Sequence, residues 1–261
     1  SKSPLTGTIF DSSSGGFFGA VLKRTGFDGI ILTGKAEKPV YLHVTEDKAE
    51  LRDAGHVWGK NTQQTRDLLM KETSYKASVA SIGPAGENLV PFAAIMNDKD
   101  RAAGRGGMGA IMGSKNLKAI AAEGNKEIPV AEPEQLKILL KRLNTLIDKN
   151  PVTGKSLQLL GTSVLVNVIN AHGMFPTQNF QRGNFNDAEG ISGEKIAETI
   201  LTARSACFRC PIACGRTTKT KNHSGEGPEY ESVWAFGAHL GASDLEAATE
   251  ANYACNELGL D

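Results

Sequence analysis

Three of the chain's four cysteines crowd into one run, Cys207-Phe-Arg-Cys210-Pro-Ile-Ala-Cys214. Spacing of i, i+3 and i+7 puts the thiols on one face of a helix. In a loop, which Pro211 favours, it still leaves them convergent. Thiolates gathered in this way bind a soft metal. An iron–sulfur cluster is favoured over zinc or buried structural cysteines, because no second Cys/His pair follows at comparable spacing. Three ligands are one short of a full 4Fe–4S set, so a fourth is expected outside the run.

Other residues could do chemistry nearby in sequence. Gly227-Pro-Glu229-Tyr-Glu231 follows the thiol run by about one short loop, and Pro228 suits the first position of a helix. Acids in a first turn meet the helix dipole favourably, which accounts for one glutamate and leaves the other to face a site. Arg101-Ala-Ala-Gly104-Arg-Gly106-Gly-Met-Gly109 holds a literal G-x-G-x-x-G. It follows the turn chemistry of Asn97-Asp-Lys-Asp100 and lacks a parallel βαβ context, which argues against a dinucleotide site. Two arginines among glycines could instead form an anion nest for a phosphate-bearing cofactor, with a plain glycine-rich turn as the alternative. Asp11-Ser-Ser-Ser-Gly-Gly16 offers hydroxyls and flexible backbone to a polar ligand, or is a surface loop. None of the five histidines has metal-ligand spacing to another.

The elements that must position these residues fall into two regions. The first half reads as short strands at Gly29–Gly34, Val40–Thr45, Ala49–Asp53, Lys76–Ile82 and Leu117–Ala122, with a hairpin over Lys35–Pro39 and a helix at Thr62–Glu72. Gly83–Gly86 reads as a turn. The pattern becomes helical after Ile128-Pro129, with an apolar stripe of Leu136, Leu139, Leu140, Leu143, Leu146 and Ile147. Gly161–Ala171 and Ser192–Arg204 continue the helical reading. Ser243-Asp-Leu-Glu246 is a capping box for a helix running to Leu258, with Gly259 as its stop. The expected fold class is α+β, with a β-rich domain over residues 1–128 and a helical domain over residues 129–261.

With 29 basic and 29 acidic residues, the chain has no electrostatic footprint for nucleic acid or an anionic membrane. No stretch reads as long and apolar enough to cross a bilayer. Clustered thiols without a second paired set argue for a reducing, cytoplasmic setting over a disulfide framework. The sequence reads as a portion of a longer protein.

The assembled motifs resemble one family, the tungsten- or molybdenum-pterin aldehyde:ferredoxin oxidoreductases. The resemblance is nearly end to end. It rests on Ser3–Gly7, Ile82–Asn88, Arg101–Lys115 with Leu117–Ile120, the C-x2-C-x3-C run, Gly227–Glu231 and Asn256–Asp261. It implies an N-terminal sheet domain forming the base for a bis-pterin (bis-molybdopterin) cofactor, covered by two helical domains, with this chain holding part of the first and part of the second. It places pterin contacts at Arg101, Ala102 and Ala103, and at Ser13, Ser14 and Gly15, where Ser13 stands in place of an expected asparagine. The family's D-x-x-G-L-x pterin motif falls on Asn256 to Asp261, which adds Asn256, Gly259, Leu260 and Asp261. Asn256 replaces the usual aspartate, keeping an acceptor oxygen and losing the charge.

The resemblance makes Cys207, Cys210 and Cys214 ligands of a 4Fe–4S cluster, and Glu231 the glutamate near the metal that positions water or substrate. The fourth cysteine and a histidine proton donor are expected in a third domain. Cys255 is expected to be a plain helix residue. Some members join two subunits through a metal held by an E-x-x-H motif. Here Glu250-Ala-Asn-Tyr253 lacks the imidazole, so a homodimer is an expected assembly but that metal is not. The implied activity is oxidation of an aldehyde to a carboxylic acid with ferredoxin as acceptor. Reduction of an aromatic acyl-thioester by a related tungsten enzyme, and an iron–sulfur electron-transfer module without pterin, are the rival readings.

Overall fold

Val40–Val44 (β1) and Ala49–Asp53 (β2) pair antiparallel in the computed structural model, which describes residues 1–261. The chain divides into two compact units, residues 1–129 with 255–261, and residues 130–254. The last seven residues therefore pack with the sheet region and not with the helical region that precedes them in sequence.

In the first unit, Ser78–Ser81 (β3), Ile95–Asn97 (β4), Arg101–Ala103 (β5) and Leu117–Ala122 (β6) complete a six-stranded sheet of order β2-β1-β6-β3-β4-β5. β1 and β6 run parallel and the other pairs antiparallel. β5 is an edge strand. Both faces are covered, which is why β1 and β6 are apolar almost throughout. Tyr41, Val79, Ala119 and Ala121 pack with Leu69 of Thr62–Glu72 (α2). Leu42, Val44, Ile82, Leu117 and Ala122 pack with Met112 of Met108–Ser114 (α4) and with Phe18, Val21 and Leu22 of Phe18–Arg24 (α1). Asn61 starts α2 with a full capping box to Gln64.

The Gly83–Gly86 turn is the start of a short helix, Pro84–Glu87 (α3), whose carbonyl at Gly86 lies against Gly113 of α4. Gly29–Gly34 is not a strand, and Lys35–Pro39 is not a hairpin. The alternation is real, since Ile30 and Leu32 pack on the core and Ile31 is 92% exposed. However, β2 and β6 already occupy both edges of β1. The segment is tied instead to the loop after α4, through Ala36 N donating to Lys115 O and Lys115 Nζ donating to Gly34 O.

The second unit holds Pro133–Lys149 (α5), Leu157–Leu160 (α6), Leu165–Ala171 (α7), Gly193–Thr199 (α8), Tyr230–Val233 (α9) and most of Leu245–Leu258 (α10). Its core gathers Val166, Phe175, Ile191, Ile196, Val233 and Ala238. It also holds a three-stranded antiparallel sheet, Leu201–Ser205 (β7), Gly215–Lys219 (β8) and Ser224–Glu226 (β9). Leu201–Arg204 is thus strand and not the end of a helix. Helical spacing ends at Ile200, and β7 is held by long-range pairing with β8 that local sequence does not carry. The cap of α10 is Asp244, whose Oδ1 accepts from Ala247 N at 3.0 Å, rather than Ser243.

Residues 152–171 form a helical run of mean hydropathy 1.2, long and apolar enough by length and composition to cross a membrane, contrary to the sequence expectation. The run is interrupted at Gly161, whose φ of +63° and ψ of −161° lie outside helical space.

Candidate functional site

Three segments expected to contact one cofactor meet at the β5 edge of the first unit. Asp98, at φ +54° in the β4–β5 turn, accepts from Phe17 N at 3.0 Å and from the Ser78 hydroxyl. Its carboxylate and Arg101 lie against Gly16, where an added Cβ would stand 3.2 Å from Asp98 Oδ2 and 3.4 Å from Arg101 Cβ. The exposed Ser13, Ser14 and Gly15 are therefore delivered beside Arg101. From the other side comes the C-terminus of α10. Gly259 takes φ +74° and closes the helix, with Gly259 N and Leu260 N both donating to Cys255 O at 2.9 Å. Leu260 bridges to Ala93, and Asp261 N donates to Phe92 O. Asp261 then reaches β5's far end, where a Cβ on Gly104 would stand 2.6 Å from Asp261 Oδ1 and Arg105 Nε lies 3.3 Å from Oδ2. Asn256 Nδ2 donates to Asp100 Oδ1 at 3.4 Å.

The edge therefore assembles Ser13, Ser14, Gly15, Arg101, Ala102, Ala103, Asn256, Gly259, Leu260 and Asp261 in one unit. A half-buried arginine, exposed hydroxyls, and glycines that let the main chain pack closely against Arg101 and Asp261 suit a polar, phosphate-bearing ring system. Asn256 is a donor to Asp100, a role that an aspartate could not serve at neutral pH. The G-x-G-x-x-G is not part of a parallel βαβ unit, because β5 pairs antiparallel with β4 and is not adjacent to β6.

In the second unit, Cys207, Cys210 and Cys214 lie in the loop joining β7 to β8, all half-buried and none in a disulfide. Cys210 N donates to Cys207 O, and Arg209 and Ala213 take φ of +52° and +51°, which folds the loop tightly. No group of three or more His, Cys, Asp or Glu side chains is arranged to hold a single metal ion. An all-thiolate donor set nonetheless fits a cluster, in which each cysteine binds its own iron.

The two glutamates separate as their positions require. Glu229 is at the N-cap of α9, and its Oε2 accepts from the Thr162 hydroxyl at 2.5 Å. Glu231, in the first turn, is exposed. Burial, and then the Glu231 charge, push the Tyr230 phenol above its usual pKa, so it stays protonated. Cys255 lies in α10, its thiol pushed up by burial and then by Asp261. Tyr253 Oη bonds Thr218 Oγ1 at 2.7 Å, and Glu250 takes Thr220 and His223 as partners. Sequence reasoning missed the anchoring role of Asp98 and the buried Arg216. The turn signal at residues 97–100 could have suggested the first. Nothing local marks the second, whose burial depends on α6.

The model for the aldehyde ferredoxin oxidoreductase N-terminal domain matches residues 1–124, and that for its domains 2 and 3 matches residues 138–261. The tungsten-containing aldehyde ferredoxin oxidoreductases of Pyrococcus furiosus and Thermococcus kodakarensis are 52% and 51% identical over the whole chain. The chain spans 43% of the length of each. An aliphatic sulfonate oxidoreductase, WOR-like subunit, of Pyrococcus furiosus is 33% identical over the whole chain and 44% of its own length. The active-site complex BamBC of benzoyl coenzyme A reductase, solved with 1,5-dienoyl-CoA, superposes with a TM-score of 0.84 at 31% identity, over the whole chain and 41% of that structure's chain.

Proposed function

The chain belongs to the aldehyde ferredoxin oxidoreductase family, and from that premise we propose that the full-length protein oxidises an aldehyde to a carboxylic acid with ferredoxin as acceptor. In balance, RCHO and H2O give RCOOH, two protons and two electrons, the electrons leaving singly. The observation that carries this reading is identity of 50–52% across the entire chain to four enzymes named for that activity.

A tungsten or molybdenum bis-pterin would supply Lewis acidity and two-electron redox chemistry, and a 4Fe–4S cluster a one-electron exit. The chain's own residues bind and orient. Arg101 on the edge strand, with Ser13 to Gly15 and the α10 terminus, would hold the pterin. Cys207, Cys210 and Cys214 would each hold one iron of the cluster. Glu231, an exposed carboxylate, would accept a hydrogen bond from water or substrate. Tyr230, kept protonated by its surroundings, remains a neutral donor beside it. Clustered thiols without a second paired set support a reducing compartment such as the cytoplasm, and a homodimer is the assembly we expect.

The likeness to the benzoyl coenzyme A reductase complex supports a second reading, reduction of an aromatic acyl-thioester. The test is turnover by anaerobically purified full-length protein. Aldehyde-dependent reduction of ferredoxin supports the first reading. Conversion of an aromatic acyl-CoA to a dienoyl-CoA without aldehyde oxidation would replace it with the second. A protein that holds iron but no pterin would favour an electron-transfer module.

A further inference from the structure

Arg216, on β8 two residues beyond Cys214, is the largest fully buried side chain in the protein, at 1% exposed. Its donors go to main-chain carbonyls. Nε donates to Cys214 O at 3.2 Å and Gly215 O at 2.9 Å, and Nη2 to Ala213 O at 2.9 Å. Nη1 donates to Leu159 O at 2.9 Å and Nη2 also to Gln158 O at 3.0 Å. Three acceptors are therefore the consecutive carbonyls that end the cysteine loop. The other two end α6, where helix carbonyls lack intrahelical partners and carry partial negative charge.

Two further features point the same way. Ala213 takes φ +51°, which an L-residue holds only when its surroundings impose it. Gly161 leaves room for the arrangement, since a Cβ there would stand 3.0 Å from Cys214 O and 3.3 Å from Arg216 Cγ and Cδ. A planar fork of five donors suits this task, and an ammonium does not.

We propose that Arg216 is a positioning residue for the iron–sulfur cluster: it fixes the main chain at Cys214 before iron binds, and its buried charge favours the reduced cluster. The proposal rests on the reading of Cys207, Cys210 and Cys214 as cluster ligands. Reduction adds one electron to the cluster, from the aldehyde and onward to ferredoxin. A fixed cation nearby lowers the free energy of the more negative state.

The experiment uses anaerobically purified full-length protein as wild type, Arg216→Met and Arg216→Lys. Iron per folded protein and the cluster midpoint potential, followed by electron paramagnetic resonance, are measured in each. Arg216→Met should lose iron several-fold, and its remaining cluster should titrate at a more negative potential. Arg216→Lys should hold the potential near wild type while losing iron, because it keeps the charge and loses the fork. If Arg216→Met does not fold, iron loss with an unmoved potential in Arg216→Lys still supports the proposal. Unchanged iron and potential in every variant that folds, even with lowered thermal stability, would make Arg216 a core residue only and overturn this inference alone. A wild type without iron would overturn the ligand reading and this inference with it.

Discussion

Lys118 and Glu87 form an ion pair that water barely reaches, their side chains 0% and 6% exposed. Lys118 Nζ also donates to Lys60 O at 2.8 Å, and both Glu87 oxygens accept from Gly59 N at 3.0 and 2.9 Å. Every charge therefore has a partner, as burial demands. Removing one partner leaves an uncompensated charge, so Glu87→Gln should destabilise the fold by about 3–5 kcal/mol. Adding Lys118→Met should recover part of that loss, which a denaturant double-mutant cycle on the full-length protein would read. Burial pushes the Lys118 pKa below 10.5 despite Glu87. Between that lowered value and 10.5 the unfolded chain binds more protons, so this group's contribution to stability rises with pH. Comparing wild type with Lys118→Met as pH rises towards 10.5 should show wild type gaining. A gain for the variant would reverse the sign and show that burial does not lower the Lys118 pKa.

At the scale of elements, close backbone approach decides what the sheet can carry. A Cβ on Gly113 would overlap the Gly86 carbonyl, and one on Gly83 the Leu258 carbonyl. The first contact seats α3 on α4, and the second seats the α10 terminus against the start of α3. Gly113→Ala must push α3 away, and should lower stability by about 1–3 kcal/mol in thermal or chemical denaturation. An unchanged midpoint would show that the two helices are not held at this distance. Legibility in sequence follows from the range of the forces involved. The bounds of α2, β2 and β6 could be read because capping and alternation are local. Gly29–Gly34 could not, because its pairing was decided by competition for the edges of β1. The β7–β8 pair was hidden because β7 is held by pairing across the cysteine loop, which local sequence does not carry. The apolar stripe of α5 was legible, yet Leu136, Leu139, Leu143 and Leu146 remain 39–58% exposed, since periodicity marks a face without supplying its cover. The cysteines and the Arg101 segment declared themselves by residue type and spacing. Arg216 needed the fold to be seen.

Over the whole molecule, the chemistry divides between the two units. The first carries the edge strand, the serine loop and the α10 terminus, and the second carries the thiols and Glu231. On the proposed function the β5 edge is the pterin cradle, because segments distant in sequence converge on Arg101 and Gly104. A charge-assisted contact is worth about 1.5–3 kcal/mol, roughly a tenfold or greater change in occupancy when cofactor is limiting. Lysine keeps the charge but cannot make the planar two-point contact, so its rescue should be partial. The direct measurement is pterin content per folded full-length protein in wild type, Arg101→Ala and Arg101→Lys. Pterin content should fall about tenfold in Arg101→Ala, with Arg101→Lys between the two and folding intact in all three. Equal pterin content in the three proteins would contradict the cradle assignment, and would leave the glycine-rich segment as a turn whose arginine serves only the surface.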